Sequence, residues 1–275
     1  GEASAVANDK GEIVLVVPDE KEGTVEVQVL AENYRTETLS LAVGEKNPQN
    51  LKLVPARKQA FVSKRSGNFD LYKIDVDGKN EEKVLAGTGS EKSEGMIIMP
   101  HSKKDIVAFV STRGDKYNRD GFALSSLSLV DLKTNEALDI AQSERIQLID
   151  FIDDKLIFVK IAEGESAASP NRHKLISYDV ESGQEKELAS TNYFNDITSA
   201  NGLIYYAPAV YQVNGAVGLY RIKPDGTDKY SIFGEEVWNL FRTSYDKISA
   251  SVQQNWYEYN LTTSQFSNSG GAPAV

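Results

Sequence analysis

Three carboxylates, Asp150, Asp196 and Glu236, lie in or next to predicted strands in successive parts of the chain. Two carboxylates can cleave a glycosidic bond, because one donates a proton while the other acts as nucleophile or base. Acidic residues near strand ends are more often solvated surface groups. The three residues therefore define an alternative, a carbohydrate-active enzyme with carboxylates at a central axis, rather than the interpretation that we favour.

Other catalytic and metal-binding patterns are weak. Residues 75–82 contain closely spaced acids, but Gly78 directly follows Asp77, whereas an EF-hand calcium loop has oxygen ligands at positions 1, 3 and 5 before its glycine. His101 and His173 lack metal-ligand spacing. There is no Gly-x-Ser-x-Gly elbow and no glycine-rich phosphate loop followed by lysine. We expect no catalytic residue, no metal site and no cofactor.

Three long connections between predicted strands, residues 113–121, 163–173 and 208–215, are better candidates for function. Equivalent connections of a repeated fold emerge on one face, and long loops on a rigid scaffold are where binding is usually found. Length variation without function would give the same pattern, and the sequence leaves both explanations open. The candidate binding residues in these loops are Tyr117, Arg119, Asn171, Arg172, His173 and Tyr211.

Three further candidates lie near the strands that we expect to be innermost. Tyr193, Trp238 and Arg242 are suited to line the entrance to a central axis, because aromatic rings and guanidinium groups are frequent in binding surfaces. Packing between neighbouring sheets is the competing role for such aromatic side chains.

The elements that would position these residues are short strands that repeat. An alternating strand followed by a tight turn begins at Leu71 and returns four times. Its copies, aligned on positions 75, 131, 179, 223 and 260, are separated by 56, 48, 44 and 37 residues. Gly, Asn and Asp at the turns tolerate positive φ, while the alternation places one face of each strand in a core. A hydrophobic strand precedes each hairpin, at residues 59–63, 106–111, 156–159, 203–206 and 247–252.

A repeat of about 45 residues with several short strands is typical of a β-propeller blade. The sequence thus predicts an all-β fold, a propeller of about five blades over residues 57–275. The predicted innermost strands are residues 96–99, 146–151, 195–198 and 237–241. The first blade lacks such a strand, so its innermost strand would come from elsewhere, either from the C-terminal tail closing the ring or from a continuation of the natural chain past Val275.

Residues 1–56 fall outside this repeat, and we expect them to form a small β-sandwich-like module. Alternating strands are predicted at residues 25–30, 36–41 and 50–54. Residues 1–10 have neither the basic nor the apolar region of a signal peptide. We expect that a leader or anchor was removed ahead of them.

The stretch from Phe61 to Asn80 resembles the repeat of the TolB-type, WD40-like propellers, which reads roughly F-x-S-x-R-x-G-x-x-[DE]-[IL]-Y-x-x-[DN]-x-D-G. Residues 109–114 repeat its opening and residues 220–227 repeat its close. The resemblance covers residues 58–270 and concerns strands and turns. In addition, residues 31–38 and 50–55 are similar to the second half of PEGA-type surface modules, which implies an extracytoplasmic setting.

Composition limits the range of partners. Forty acidic and thirty basic residues give a net charge of −10, so a phosphate backbone would be repelled, and we expect no nucleic acid partner. The chain has no cysteine, which excludes disulfides and thiolate chemistry. No apolar run is long enough for a spanning helix. Contact with a membrane would therefore need a segment absent from this sequence.

From these observations we expect a non-enzymatic, extracytoplasmic binding or scaffold protein, periplasmic or at the cell surface. Its loop-rich propeller face would bind a protein or a cell-surface glycan. The carbohydrate-active enzyme is the alternative. A third possibility is the sensor domain of a receptor that is membrane-anchored in its full-length form.

Overall fold

The computed structural model describes residues 3–16, 23–44, 48–209 and 217–272. These residues form 21 strands and a single 3₁₀ turn at Ser93–Gly95. The all-β fold class is confirmed. The chain divides into two compact units, the first containing Gly1–Gln59 with Ile74–Glu81 and the second containing Ala60–Lys73 with Glu82–Val275.

The first unit contains one antiparallel pair, β1 (Thr24–Val29) and β2 (Glu37–Ala42). Side chains in both strands alternate between exposed and half-buried, as a sheet covered on one face requires. The predicted third strand at residues 50–54 is wrong. Val54 O accepts a hydrogen bond from Arg35 N–H, and just beyond the segment Ala56 N–H donates to Asn33 O, beside an isolated bridge at Pro55.

Charged side chains stabilise this unit. The guanidinium of Arg35 pairs with Glu37 at 2.6 Å, with Asp75 at 2.5 Å and with Asp77 at 3.1 Å. Asp75 is only 2% exposed and also pairs with the ammonium of Lys58. Burial is the largest influence and raises the pKa of Asp75. The bonds from Lys58, Arg35 and Asn80 outweigh it and lower that pKa to about 2.

We expect Asp75→Asn to destabilise the first unit by about 2 kcal/mol at pH 7, because an ionised Asp75 binds its cations only in the folded state. Its folded pKa lies below the unfolded value of 3.8. The stabilisation is therefore complete above about pH 4 and is lost as the pH falls toward 2. Hydrogen exchange of the β1 and β2 amides at pH 7 and pH 2.5 measures it. Asp153→Asn, at an 82% exposed side chain, is the control. Equal protection in the two variants would contradict the expectation.

Five antiparallel sheets follow one another along the rest of the chain. Sheet 1 contains β3 (Lys58–Ser63), β4 (Asp70–Asp75) and β5 (Glu82–Leu85). Sheet 2 contains β6 (Ile97–Pro100), β7 (Ile106–Ser111), β8 (Ser125–Asp131) and β9 (Ala137–Ser143). Sheet 3 contains β10 (Ile146–Ile152), β11 (Lys155–Ile161), β12 (His173–Asp179) and β13 (Glu185–Thr191). Sheet 4 contains β14 (Phe194–Ala200), β15 (Leu203–Pro208), β16 (Leu219–Ile222) and β17 (Tyr230–Phe233). Sheet 5 contains β18 (Asn239–Ser244), β19 (Lys247–Val252), β20 (Asn255–Asn260) and β21 (Gln265–Asn268).

Each sheet packs face to face on the next through a hydrophobic cluster. The period of two in a strand sends neighbouring residues to opposite faces. In β11, Phe158 joins the cluster shared with sheet 2, whereas Ile157 and Val159 join the cluster shared with sheet 4. The central strands are therefore continuously apolar because both of their faces are buried.

The first strands of sheets 2 to 5 lie beside one another, β10 next to β6 and β14, and β14 next to β18. This is the arrangement of inner strands around an axis. In the described part of the chain, sheet 1 contains three strands and no equivalent inner strand. The number of blades stays a prediction.

Candidate binding face

The two ends of the sheets carry different connections. In an antiparallel meander, the loop between the second and third strands emerges at the same end as the link to the next sheet. We call this end the loop face. It comprises the long loops 112–124, 162–172 and 209–218, of which residues 210–216 lie outside the described part, and the links 86–96, 144–145, 192–193 and 234–238. The opposite end, with the short connections 101–105, 132–136 and 153–154, is the turn face.

Hydrogen bonds tie each described loop to a neighbouring link. In sheet 2, the Thr112 hydroxyl donates to Ser90 O at 2.9 Å and accepts from Lys92 N–H at 2.9 Å. In sheet 3, Ile161 N–H donates to Arg145 O at 3.0 Å. In sheet 4, Ala209 N–H donates to Tyr193 O at 2.9 Å. In each of these three sheets, the start of the loop therefore lies beside the link that enters the same sheet.

Three of the predicted binding residues come together on it. Arg172 pairs with Glu144 at 3.2 Å, and its guanidinium also donates to Glu165 O. His173 begins β12, and its ring meets the ring of Tyr193 edge-on, with centroids 5.2 Å apart and planes at 83°. Tyr193 is therefore part of the loop face beside His173.

A cavity of about 250 Å³ opens beside these residues, between the inner strands of sheets 3 and 4. Its walls combine apolar side chains of the strands with polar groups of the links. The lining residues are Arg145, Gln147, Val159, Ile161, His173, Tyr193, Phe194, Asn195, Asp196 and Ile197.

The protonation of His173 follows from its contacts. A carbonyl oxygen only accepts hydrogen bonds, so Nδ1, 2.5 Å from Asn192 O, carries the proton and leaves Nε2 as an acceptor. Burial is the largest influence and lowers the pKa of His173, and the nearby charges of Arg172 and Arg145 lower it further. The hydrogen bond to Asn192 opposes this shift only in part. His173 is therefore neutral at pH 7.

The loop of sheet 2 is an ordered hairpin tip. Tyr117 bridges Ala123, and the side-chain oxygen of Asn118 accepts from Asp120 N–H at 3.0 Å and from Phe122 N–H at 2.9 Å. Tyr117 and Phe122 nevertheless remain exposed. Arg119, at the same tip, is also exposed, 3.8 Å from Asp120. This tip presents exposed aromatic and cationic groups on a hydrogen-bonded backbone.

The remaining predicted residues are spread out. Asn171 is exposed next to Arg172, and Tyr211 lies outside the described residues. Trp238 is half-exposed in the link to sheet 5. Arg242 lies toward the other end of β18, where its Nε donates to Ser244 O at 3.3 Å. The structure therefore does not bring Arg242 to the loop face with Trp238 and Tyr193.

The three acids of the enzymatic alternative have separate structural partners. Asp150 accepts a hydrogen bond from the Ser199 hydroxyl. Both oxygens of Asp196 are occupied, one by Ile197 N–H and the other by Leu240 N–H, each at 2.8 Å. Asp196 thus joins the inner strands of sheets 4 and 5. Glu236 accepts from the side-chain amide of Asn195 at 3.3 Å.

His101 is a turn cap. Its Nδ1 accepts from Lys103 N–H and Lys104 N–H, both at 3.0 Å, and its ring is buried against Phe151. Across the described residues, no three His, Asp or Glu side chains form a group that could hold a metal ion. Nor does the described chain contain a helix long and apolar enough to span a bilayer.

Sequence reasoning missed Arg145, Glu144 and Phe122. Glu144 and Arg145 form a link of only two residues, and so short a connection does not mark a functional loop. They reach the site because strand pairing places this link beside the loop of sheet 3. Phe122 directly follows the predicted loop 113–121, and an aromatic residue next to a glycine turn was a usable signal.

Neither a known protein family nor a curated protein matches the sequence. Solved structures do match. A puromycin hydrolase S511A mutant complexed with PGG aligns at a TM-score of 0.50 and 11% identity, over 98% of this chain and 50% of that one. The β-propeller domain of the Trilobed protease from Pyrococcus furiosus aligns at 0.49 and 12%, over 78% and 66%. TolB from Acinetobacter baumannii aligns at 0.44 and 12%, over 89% and 62%.

The chain spans 61% of the length of several other matched structures. At these identities the likeness concerns the fold alone. The comparisons do not include a match to the PEGA-type module, which stays a prediction. Five consecutive sheets, each packed on the next, give the chain a β-propeller fold.

Proposed function

We propose that this chain is a non-enzymatic, extracytoplasmic protein that binds a protein or a cell-surface glycan through the loop face. In this proposal residues 1–56 form an accessory module, and residues 57–275 form a propeller of about five blades. The observation that carries it is the loop face itself, which presents exposed aromatic and cationic side chains and, between sheets 3 and 4, a cavity.

The chemistry of this face supports binding. Tyr117, Phe122 and Tyr193 offer rigid aromatic area, which contributes strongly to interfaces at a low cost in side-chain entropy. Arg119 and Arg145 are exposed cations on a chain of net charge −10. An acidic or mixed partner surface is complementary to them. The acids at the inner strands are engaged in structural hydrogen bonds, which favours binding over hydrolysis.

The extracytoplasmic location has separate support. It comes from the resemblance of residues 31–38 and 50–55 to surface modules.

Site-specific photocrosslinking on cells of the source organism tests the proposal. A benzophenone amino acid replaces Tyr117 or Tyr193 on the loop face, or Lys133 on the turn face, where the side chain is 77% exposed. We expect crosslinked protein or glycan from positions 117 and 193 and none from position 133. Adducts from position 133 alone, or cleavage of a polysaccharide by the purified chain, would show that the proposal is wrong.

A further inference from the structure

The cavity between the inner strands of sheets 3 and 4 has an apolar interior. Val159, Phe194 and Ile197 form its walls, and all three belong to the cluster that joins sheets 3 and 4. Because these walls are parts of packed strands, the cavity is a fixed feature of the scaffold. Apolar walls of this kind favour an aliphatic or aromatic group over a group with many hydroxyls, which would lose hydrogen bonds to water.

The outer side of the cavity is positive. Arg145 is exposed there, and no ion pair or side-chain hydrogen bond connects it with another residue of the described ranges. Its neighbour Glu144 is already paired with Arg172. The cavity's own acid, Asp196, accepts two backbone N–H groups. An anionic group of a ligand is therefore the best partner for Arg145.

His173 adds a neutral acceptor to the same cavity. Its Nδ1–H is held by Asn192 O, so Nε2 is available to accept a hydrogen bond from a ligand N–H. Tyr193 stands edge-on to this ring and contributes a half-exposed aromatic surface to the cavity. A ligand with a backbone N–H followed by a carboxylate would match both groups, the N–H the acceptor Nε2 of His173 and the carboxylate the cation of Arg145.

The size of the cavity limits the ligand further. About 250 Å³ is below the range of roughly 300–1,000 Å³ that is typical of pockets for drug-sized ligands. It suits one amino acid residue better than an oligosaccharide.

We propose that this cavity binds the C-terminal residue of a peptide, with its free carboxylate on Arg145 and an aliphatic side chain against Val159, Phe194 and Ile197. The inference rests on the proposed function and deepens it, because it names a protein C-terminus as the partner chemistry. The other source of a carboxylate is a uronic acid, which fits the cation but not the apolar walls.

NMR titration of the whole chain tests this site with three probes. They are an N-acetylated alanyl-alanyl-leucine tripeptide, the same tripeptide as its C-terminal amide, and galacturonic acid. We expect the free acid to bind with a dissociation constant of about 1 mM or lower, and to shift the amide signals of β10 and β14. We expect the amide to bind about tenfold more weakly, because it cannot form a charge-assisted pair with Arg145.

Two variants with the same loss of charge complete the design. Arg145→Gln is at an exposed side chain and should fold normally, while the free acid should bind about tenfold more weakly. Lys133→Gln, on the turn face, should leave binding unchanged. Equal binding of acid and amide, tighter binding of galacturonic acid, or no effect of Arg145→Gln would each overturn the inference.

The outcome can be separated from that of the proposed function. If the tripeptide does not bind but crosslinks still arise from positions 117 and 193, the C-terminal site is wrong and the loop face remains the binding surface. If crosslinks arise only from position 133, the proposed function itself is wrong.

Discussion

Phe158→Ala is expected to lower the free energy of unfolding by about 3–5 kcal/mol, the range measured when a fully buried phenylalanine is truncated. Phe158 is 0% exposed and lies at the centre of β11, in the cluster between sheets 2 and 3. Its partners there include Leu148 and Ile176. Together with Phe158 they occupy three adjacent strands of sheet 3, so the cavity left by the ring cannot collapse, and its walls lose their dispersion contacts.

The matched control is Phe122→Ala, which removes the same atoms at a residue that is 72% exposed. This change should alter the unfolding free energy by no more than about 0.5 kcal/mol. Urea denaturation followed by circular dichroism measures both variants on the same scale. Similar midpoints for the two variants would mean that the interface between sheets 2 and 3 is not packed as described.

Gly218→Ala is expected to cost about 3 kcal/mol or more, because two constraints act on this residue at once. Its φ is +130°, a conformation that L-residues rarely adopt. A Cβ atom would also lie 2.1 Å from Phe233 O, which is backbone and cannot rotate away. Gly218 precedes the register shift between Leu219 and Tyr220, where β16 meets β17. The substitution should therefore disturb this edge of sheet 4 and the adjoining loop.

Gly121→Ala separates the two constraints. Gly121 has a φ of +82°, but a Cβ atom there would meet nothing within 4 Å. It should cost only about 1 kcal/mol, the penalty of left-handed backbone alone. Thermal unfolding of both variants, with hydrogen exchange at β16 and β17, provides the comparison. A Gly218 variant as stable as the Gly121 variant would contradict the close approach to Phe233 O.

The strands of sheets 2 to 4 could be predicted from the sequence for a physical reason. Their central strands are buried on both faces, so they appear as uninterrupted apolar runs such as Ile106–Ser111. The hairpins that follow them carry turn residues with positive φ, including Asn135 and Gly183. Both signals come from residues that are close together in the sequence, so they can be recognised without knowledge of the folded structure.

Sheet 5 follows a different pattern. β19 alternates Ile248, Ala250 and Val252, which join the cluster with sheet 4, with Ser249 and Ser251 on its other face. The Ser251 hydroxyl accepts from the side chain of Asn239 at 2.7 Å. One face of this strand is therefore polar, a property that the prediction of a hydrophobic strand at residues 247–252 did not state.

Features that depend on distant pairs could not be predicted. Residues 50–54 alternate like a strand, yet the described structure gives Val54 a single backbone partner, at Arg35. The contact between Arg172 and Glu144 joins residues 28 positions apart through the pairing of β10, β11 and β12. Arg145 reaches the cavity for the same reason, so composition and spacing alone did not identify it.

The most direct test of the loop face compares two triple variants with the same net charge change. Tyr117→Ala, Arg119→Ala and Phe122→Ala alter the loop face, whereas Lys103→Ala, Lys133→Ala and Asp153→Ala alter the turn face, all at exposed side chains. Binding to cells of the source organism and to a cell-surface glycan array is measured for each. We predict that the loop-face variant binds about thirtyfold more weakly, corresponding to roughly 2 kcal/mol, and that the turn-face variant binds like the unmodified chain. Equal binding by the loop-face variant and the unmodified chain would contradict the account.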